Sequence, residues 1–251
     1  KLLENLHGKM ITGCDLNIDI NDMEKLFKLT PYVLAAVNSQ VDASTATSMG
    51  VIGAFEAFQK CSPSNLDNGV LVHGCGQVGS KVASELIKRN IKTYVVDVDI
   101  KKTEIKDAIS LGNDKNWYRK NFDVILPCSI SGLINTNISQ FLLNTKAIIS
   151  AANAPFINNV IPEKLKNENV VIIPDPLVNA GAVIADSIEK YAPEVWDKIL
   201  PKSVYDFVQS EVRKKCISYL SLEQSGLNSH EILELMQNEK KQIIGEKFLN
   251  R

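Results

Sequence analysis

The sequence predicts an α/β fold built on a mostly parallel, doubly wound sheet. From about Gly69 onward, short runs rich in β-branched residues alternate with longer amphipathic stretches, the pattern of parallel strands joined by crossover helices. The short runs are nearly all apolar, as strands are when helices cover both faces of their sheet. A glycine-rich turn joins the first such run to the first amphipathic stretch.

Strands are expected at residues 70–73, 92–96, 122–126, 147–150 and 170–173. Between the first two, Val78, Val82 and Leu86 recur every four residues and give a helix one apolar stripe, ending near Asn90. Ahead of them, Val51, Ala54, Phe55 and Phe58 fall at i, i+3, i+4 and i+7 until Cys61-Ser62-Pro63-Ser64 breaks the helix, which is expected to pack on the sheet edge or lead into it. After Asn179 the chain reads as helical at 182–191, 202–220 and 228–248, the last with Asn228 as its cap. The first forty residues stand outside this alternation: 9–12 reads as a short strand, Asn21 as a cap for a helix over 22–29, and Pro31 as its stop. The expected division is a domain tail at 1–40, a dinucleotide-binding domain at 41–185, and C-terminal helices at 186–251 that pack back toward the first domain.

Composition narrows the function. A chain of 251 residues with 45% hydrophobic residues is long enough for one large or two small domains. Lys+Arg 28 against Asp+Glu 29 leaves a formal charge of -1, so bulk electrostatics recruits neither nucleic acid nor an anionic membrane surface. No apolar stretch approaches the roughly 18 to 20 residues of a membrane span. The five cysteines are scattered without a C-x-x-C pair, and His7, His73 and His230 lie far apart in sequence. That pattern argues for a reducing, cytoplasmic setting, and against a disulfide framework or a metal centre. The chain begins at Lys1 without an initiator Met or a leader, and so reads as a processed chain or a piece of a longer one.

Gly74-Cys75-Gly76-Gln77-Val78-Gly79 follows a strand and opens a helix. In a Rossmann-type unit the first glycine makes the tight turn, the second lets backbone approach a pyrophosphate, and the third permits close helix–strand packing. The phosphates rest on the positive end of the helix. Asp97 closes the second strand, 23 residues after Gly74, where a carboxylate accepts hydrogen bonds from ribose hydroxyls and repels a 2'-phosphate. NAD is therefore the expected cofactor. Asp99 is the other candidate acid, and Lys101-Lys102 is either a phosphate contact or a solvated helix start.

Three further strand ends are rich in small residues and amides: Pro127-Cys128-Ser129, Ser150-Ala151-Ala152-Asn153 and Pro174 through Asn179-Ala180-Gly181. In an open α/β sheet these ends form the ligand crevice, where small residues leave room for a flat ring. Asn153 and Asn179 either orient a ligand or satisfy their own turns. Asp15, in Asp15-Leu16-Asn17, taken alone is either a cap or turn acid or a catalytic group. His73 reads as a strand-end packing residue.

Together these segments, with Met10-Ile11-Thr12-Gly13-Cys14-Asp15 and Thr47-Ser48-Met49-Gly50-Val51, resemble the glutamate, leucine, phenylalanine and valine dehydrogenase family over nearly the whole chain, the leucine and phenylalanine branch most closely. The resemblance implies NAD-dependent oxidative deamination of an apolar, branched or aromatic L-amino acid by a homo-oligomer. It places Asp15 at the catalytic aspartate and Thr47, Gly74, Gly76, Gln77, Val78, Gly79, Asp97, Cys128, Ser129, Ala152 and Asn153 at the cofactor. Asn179 and Gly181 fall at the substrate. The family's glycine-rich segment with its essential lysines lies upstream of the aspartate strand, and nothing before Lys9 supplies it. Ala182 stands where a second glycine is usual, and Ser48 where an alanine is. A non-catalytic NAD-binding module, or a dehydrogenase of another small acid, is the alternative expectation.

Overall fold

The computed structural model describes residues 2–13, 20–34, 40–196, 198–238 and 243–249. Six parallel strands form one sheet: β1 (Val70–His73), β2 (Thr93–Val96), β3 (Ile109–Ser110), β4 (Val124–Pro127), β5 (Ala147–Ile149) and β6 (Val171–Ile173). Their order is β3-β2-β1-β4-β5-β6. The chain winds outward from β1 through β2 to β3, returns to β4 beside β1, and winds outward again on the other side. The expected doubly wound α/β architecture is present, with β3 an edge strand that the hydrophobic pattern does not announce.

The apolar strands feed two cores. Val70, Val72, Val95, Val124, Leu126, Ala147, Ile149 and Ile173 face one, while Leu71, Val96, Ile125, Ile148 and Ile172 face the other. Alternate residues of each strand thus point into opposite layers, and polar residues stand only at strand ends and on the edge strand: His73, Thr93 and Ser110. Each fully buried Val, Leu or Ile contributes about 1.5–3 kcal/mol of transfer free energy.

Three short or intermediate helices precede the sheet: α1 (Leu2–Asn5), α2 (Ile20–Phe27) and α3 (Ala43–Cys61). Asn21 lies inside α2 instead of capping it, because the helix starts a residue earlier. In place of a strand at 9–12 there is one parallel bridge, Thr12 to Val33, closed by Thr12 N–H on Tyr32 C=O at 3.0 Å and Leu34 N–H on Thr12 C=O at 2.8 Å. Helix α3 is longer than its apolar stripe, since Asp42 caps it by accepting from Ser44 N–H and Thr45 N–H. It lies not at the sheet edge but over the first core, where Val51, Phe55 and Phe58 are fully buried.

The connecting helices are α4 (Gly79–Lys88), α5 (Thr136–Ser139), α6 (Val160–Asn167) and α7 (Asp175–Val178). Asn90 terminates the α4 region with φ +58, a conformation asparagine tolerates. After β6 come α8 (Gly181–Tyr191), α9 (Pro193–Trp196), α10 (Pro201–Gln224), α11 (Ser229–Asn238) and α12 (Ile244–Leu249). Helix α8 runs unbroken through Ala185 and Asp186. Helix α10 packs along α3 and α12 along α8, completing the layer over the sheet. The expected cap of α11 forms a reciprocal box: Asn228 Oδ1 accepts from His230 and Glu231 N–H at 3.0 Å, and Glu231 Oε2 accepts from Asn228 N–H at 2.9 Å. Lys166 of α6 bonds Tyr219 and Glu223 of α10 and Ser229 of α11, tying the far edge of the sheet to the C-terminal helices. No described helix is long and apolar enough to cross a membrane.

Candidate functional site

β1 and β4 are neighbours whose following segments depart in opposite directions, and a crevice opens at their carboxyl ends. The three glycines of the turn after β1 are used in three different ways. Gly74 has φ +94, and a Cβ there would stand 2.6 Å from Ser129 Cβ, so the turn and the segment after β4 touch. A Cβ on Gly79 would stand 1.9 Å from Gly74 O, which only a glycine avoids. A Cβ on Gly76 would meet nothing within 4 Å. Packing therefore requires the outer two glycines, while the middle one keeps open a space that the chain itself does not fill. Beside that space the N–H groups of Gly76, Gln77 and Val78 have no backbone acceptor among the described residues, as at the positive start of a helix.

Asp97 sits against this turn. Its Oδ2 accepts from Cys75 N–H at 2.6 Å and its Oδ1 from Asp99 N–H at 2.9 Å, leaving lone-pair capacity for two more donors. Asp99 instead accepts from Lys101 N–H at 3.1 Å and caps the 3-10 turn over Ile100–Thr103. Asp97 is thus the acid beside the glycine turn, and Lys101 and Lys102 are exposed on the capped turn. Burial, with Asp97 adding to it, pushes the Cys75 thiol up to about 11, and burial pushes Cys128 up to about 12. Both stay protonated at neutral pH and serve as packing groups, not nucleophiles. His73 packs edge-on to Trp117 with ring centroids 5.0 Å apart, and its Nδ1 lies 2.9 Å from Ser129 Oγ. Burial lowers its pKa, as befits a packing residue.

At the next two strand ends the asparagines meet. Asn179 Nδ2 donates to Asn153 Oδ1 at 2.7 Å and to Ala151 O at 3.2 Å. Asn153 Nδ2 and Asn179 Oδ1, a donor and an acceptor, remain unengaged by described residues. The segment is held from below by Ala151 and Ala152 N–H on Pro127 C=O, at 2.9 and 3.1 Å. Ala154, at φ +45, is pinned by its N–H bond to Asp175 Oδ2 at 3.0 Å. Gly181 brings the start of α8 against α3: a Cβ there would stand 2.1 Å from Ala46 O and 2.6 Å from Thr47 Cα. Thr47, Asn179 and Gly181 are thereby neighbours in space, with the Thr47 hydroxyl donating to Ala43 C=O at 3.0 Å. Asp15 lies outside the described residues.

Two carboxylates at this end of the sheet carry no sequence signal of their own. Asp175 lies within the small-residue segment after β6, and its hold on Ala154 exists only in three dimensions. Asp186 lies on α8, where a carboxylate on an amphipathic helix reads as part of its wet face. Its Oδ2 is 3.6 Å from where a Cβ on Gly13 would stand. Burial pushes its carboxyl up to about 6.

A model of the Glutamate/Leucine/Phenylalanine/Valine dehydrogenase family matches residues 93–221. The chain is 30% identical over 207 residues to phenylalanine dehydrogenase of Caldalkalibacillus thermarum, covering 77% of this chain and 56% of that one. To L-tryptophan dehydrogenase of Nostoc punctiforme it is 29% identical over 191 residues, covering 73% and 54%. The chain spans about half the length of these curated relatives. Among solved structures, L-tryptophan dehydrogenase from Nostoc punctiforme superposes with a TM-score of 0.74 at 23% identity, over 99% of this chain and 70% of that one. Hetero-hexameric glutamate dehydrogenase from Thermus thermophilus gives 0.71 at 17% identity, over 99% and 66%. At these identities the likeness is one of fold.

Proposed function

The chain belongs to the Glutamate/Leucine/Phenylalanine/Valine dehydrogenase family, and from that premise we propose that it is the dinucleotide-binding part of an enzyme that oxidatively deaminates an apolar, branched or aromatic L-amino acid to its 2-oxo acid and ammonia. On this reading residues 1–40 are the tail of a substrate domain, 41–185 the dinucleotide-binding domain, and 186–251 the C-terminal helices. The observation that carries it is the division of labour among Gly74, Gly76 and Gly79: two are demanded by packing, and the middle one leaves open space above three unpaired N–H groups.

That space suits a pyrophosphate, held by the N–H groups of Gly76, Gln77 and Val78. Asp97, already fixed by two backbone N–H groups, suits a pair of ribose hydroxyls and disfavours a 2'-phosphate, which selects NAD over NADP. NAD, when bound, supplies the hydride acceptor. Cys128, Ser129 and Ala152 offer a small-residue wall for its flat rings. Asn153 and Asn179 present one donor and one acceptor side by side, the complement of a primary amide or of an amino acid's own polar groups. Thr47 and Gly181 hold the start of α8 against α3 beneath Asn179. Asp15, by family resemblance, carries protons between the substrate amine, the attacking water and the carbinolamine that follows the imine. A homo-oligomer working in the cytoplasm completes the proposal.

The test is NADH formation by the full-length protein with a panel of branched and aromatic L-amino acids. Turnover is expected, with kcat falling at least about a hundredfold in Asp15→Asn. Absence of NADH with every amino acid, together with unchanged behaviour of Asp15→Asn, would overturn the proposal.

A further inference from the structure

Asp175 supports both asparagines of the crevice by way of the backbone. Its carbonyl accepts from Asn179 N–H at 2.9 Å, and its Oδ2 accepts at 3.0 Å from the N–H of Ala154, the residue next to Asn153. The side chains beside those two anchors then meet, Asn179 Nδ2 on Asn153 Oδ1 at 2.7 Å. One half-buried residue at the start of α7 is thus the common support of a pair drawn from two different strand ends. Pro174 and Pro176 flank it, so the carboxylate departs from a stiff segment.

Ala154 is where this support matters. Its φ of +45 lies in the left-handed region, which an alanine enters at a cost and keeps only where its surroundings impose it. Among the described residues, the other non-glycine positions of positive φ are His7, Asn90, Asp107 and Asn169, types that enter it far more readily. Two bonds impose it on Ala154: Asp175 takes its N–H, and Gly132 N–H donates to its C=O at 2.8 Å. The Ala154 N–H lies in the peptide plane that starts at Asn153 Cα, so the carboxylate fixes that plane and with it the direction in which the Asn153 side chain leaves the backbone. A bond from N–H to an ionised acceptor is of the stronger kind. Without it the alanine returns to negative φ, and the plane and Asn153 turn together.

Resting on the dehydrogenase reading, we infer that Asp175 is a positioning residue for the carboxamide of the cofactor: through Ala154 it holds Asn153 so that Asn153 Nδ2 and Asn179 Oδ1 together receive the primary amide of the nicotinamide. The pair then offers a donor for the carboxamide oxygen and an acceptor for its NH2 group. Asp175 touches no ligand itself. Its effect is confined to the nicotinamide end of NAD, whereas the glycine turn and Asp97 serve the pyrophosphate and the adenosine ribose.

The experiment titrates NAD and ADP-ribose, which lacks only the nicotinamide, into the full-length protein by calorimetry and follows the ratio of the two affinities. In Asp175→Ala the preference for NAD over ADP-ribose is expected to fall at least about fivefold, the size of one lost hydrogen bond, with ADP-ribose affinity unchanged. Asp175→Asn keeps an acceptor and is expected to hold the ratio within about twofold of wild type. Ala154→Gly, which enters positive φ freely, is expected to recover about half or more of the loss when added to Asp175→Ala. Should Asp175→Ala fail to fold, Asp175→Ser, shorter by one bond and still polar, carries the same expectation. Equal loss of both ligands, an unchanged ratio, or a loss that Ala154→Gly leaves in place would show Asp175 to be structural only, and the inference fails alone. A wild type that binds neither ligand fails the dinucleotide reading, and this inference with it.

Discussion

Two passages from strand to helix lie at the carboxyl end of the sheet, and they treat their charges differently. At the passage from β1 to α4, the neighbouring Asp97 after β2 is held by N–H groups of Cys75 and Asp99, and the outer glycines are locked by contacts closer than a side chain would permit. In the passage from β6 to α8, the asparagine pair is joined by a single bond of 2.7 Å, and Asp186 has no partner among the described residues. The first passage has its packing and its carboxylate fixed before any ligand arrives, with the N–H groups of Gly76, Gln77 and Val78 left to receive one, which is the condition for binding an invariant group at little reorganisation cost. The second keeps a half-buried carboxylate uncompensated, a feature that lowers stability.

The contrast is broken most severely at Gly79. Gly79→Val places a side chain against Gly74 O and is expected to cost about 3 kcal/mol or more, measured by urea denaturation, because neither backbone segment has room to move. A smaller loss than 1 kcal/mol would mean that the turn is not locked.

Asp186 is expected to give the opposite sign. Its folded pKa, about 6, lies above the ordinary aspartate value of 3.8, so the folded chain takes up a proton that the unfolded chain has released. Its ionisation therefore erodes stability as pH rises from about 4 to about 6, and the deficit persists above that. Asp186→Asn is expected to raise stability by about 2 kcal/mol at pH 8 and to change little at pH 4. Thermal melts across that range check it, and destabilisation at pH 8 would show that the carboxylate is satisfied after all.

Asp97→Ala is the smaller effect. It leaves the N–H of buried Cys75 without an acceptor and is expected to cost about 1–2 kcal/mol, with NAD affinity falling alongside. A neutral or stabilising result would place Asp97 in the same class as Asp186.

The sheet and the cofactor half were legible because their signals are local. Five strands are β-branched runs, and the turn after β1 carries glycines at fixed spacing. β3 escaped because Ile109 and Ser110 are two exposed residues with no period to read. The start of α3 escaped because Ser44, Thr45, Thr47 and Ser48 interrupt any apolar stripe, although the Asp42 cap was there to find. Asp99 and Asp97 were both open as the acid beside the turn, and only the hydrogen bonds separated them. Asp186 was invisible for a different reason: a carboxylate on an amphipathic helix reads as its wet face, and its half-burial near Gly13 comes from a segment more than 170 residues away in sequence. Asp15, legible only by resemblance, lies outside the described residues.

The central claim is that the space above Gly76 belongs to the cofactor. It is tested most directly by calorimetric titration of NAD into the wild-type protein and into Gly76→Val. A Cβ there meets nothing within 4 Å, so the Tm is expected to stay within about 2 °C while NAD affinity falls at least about tenfold. Equal NAD affinity in the two proteins, at equal stability, would contradict the account.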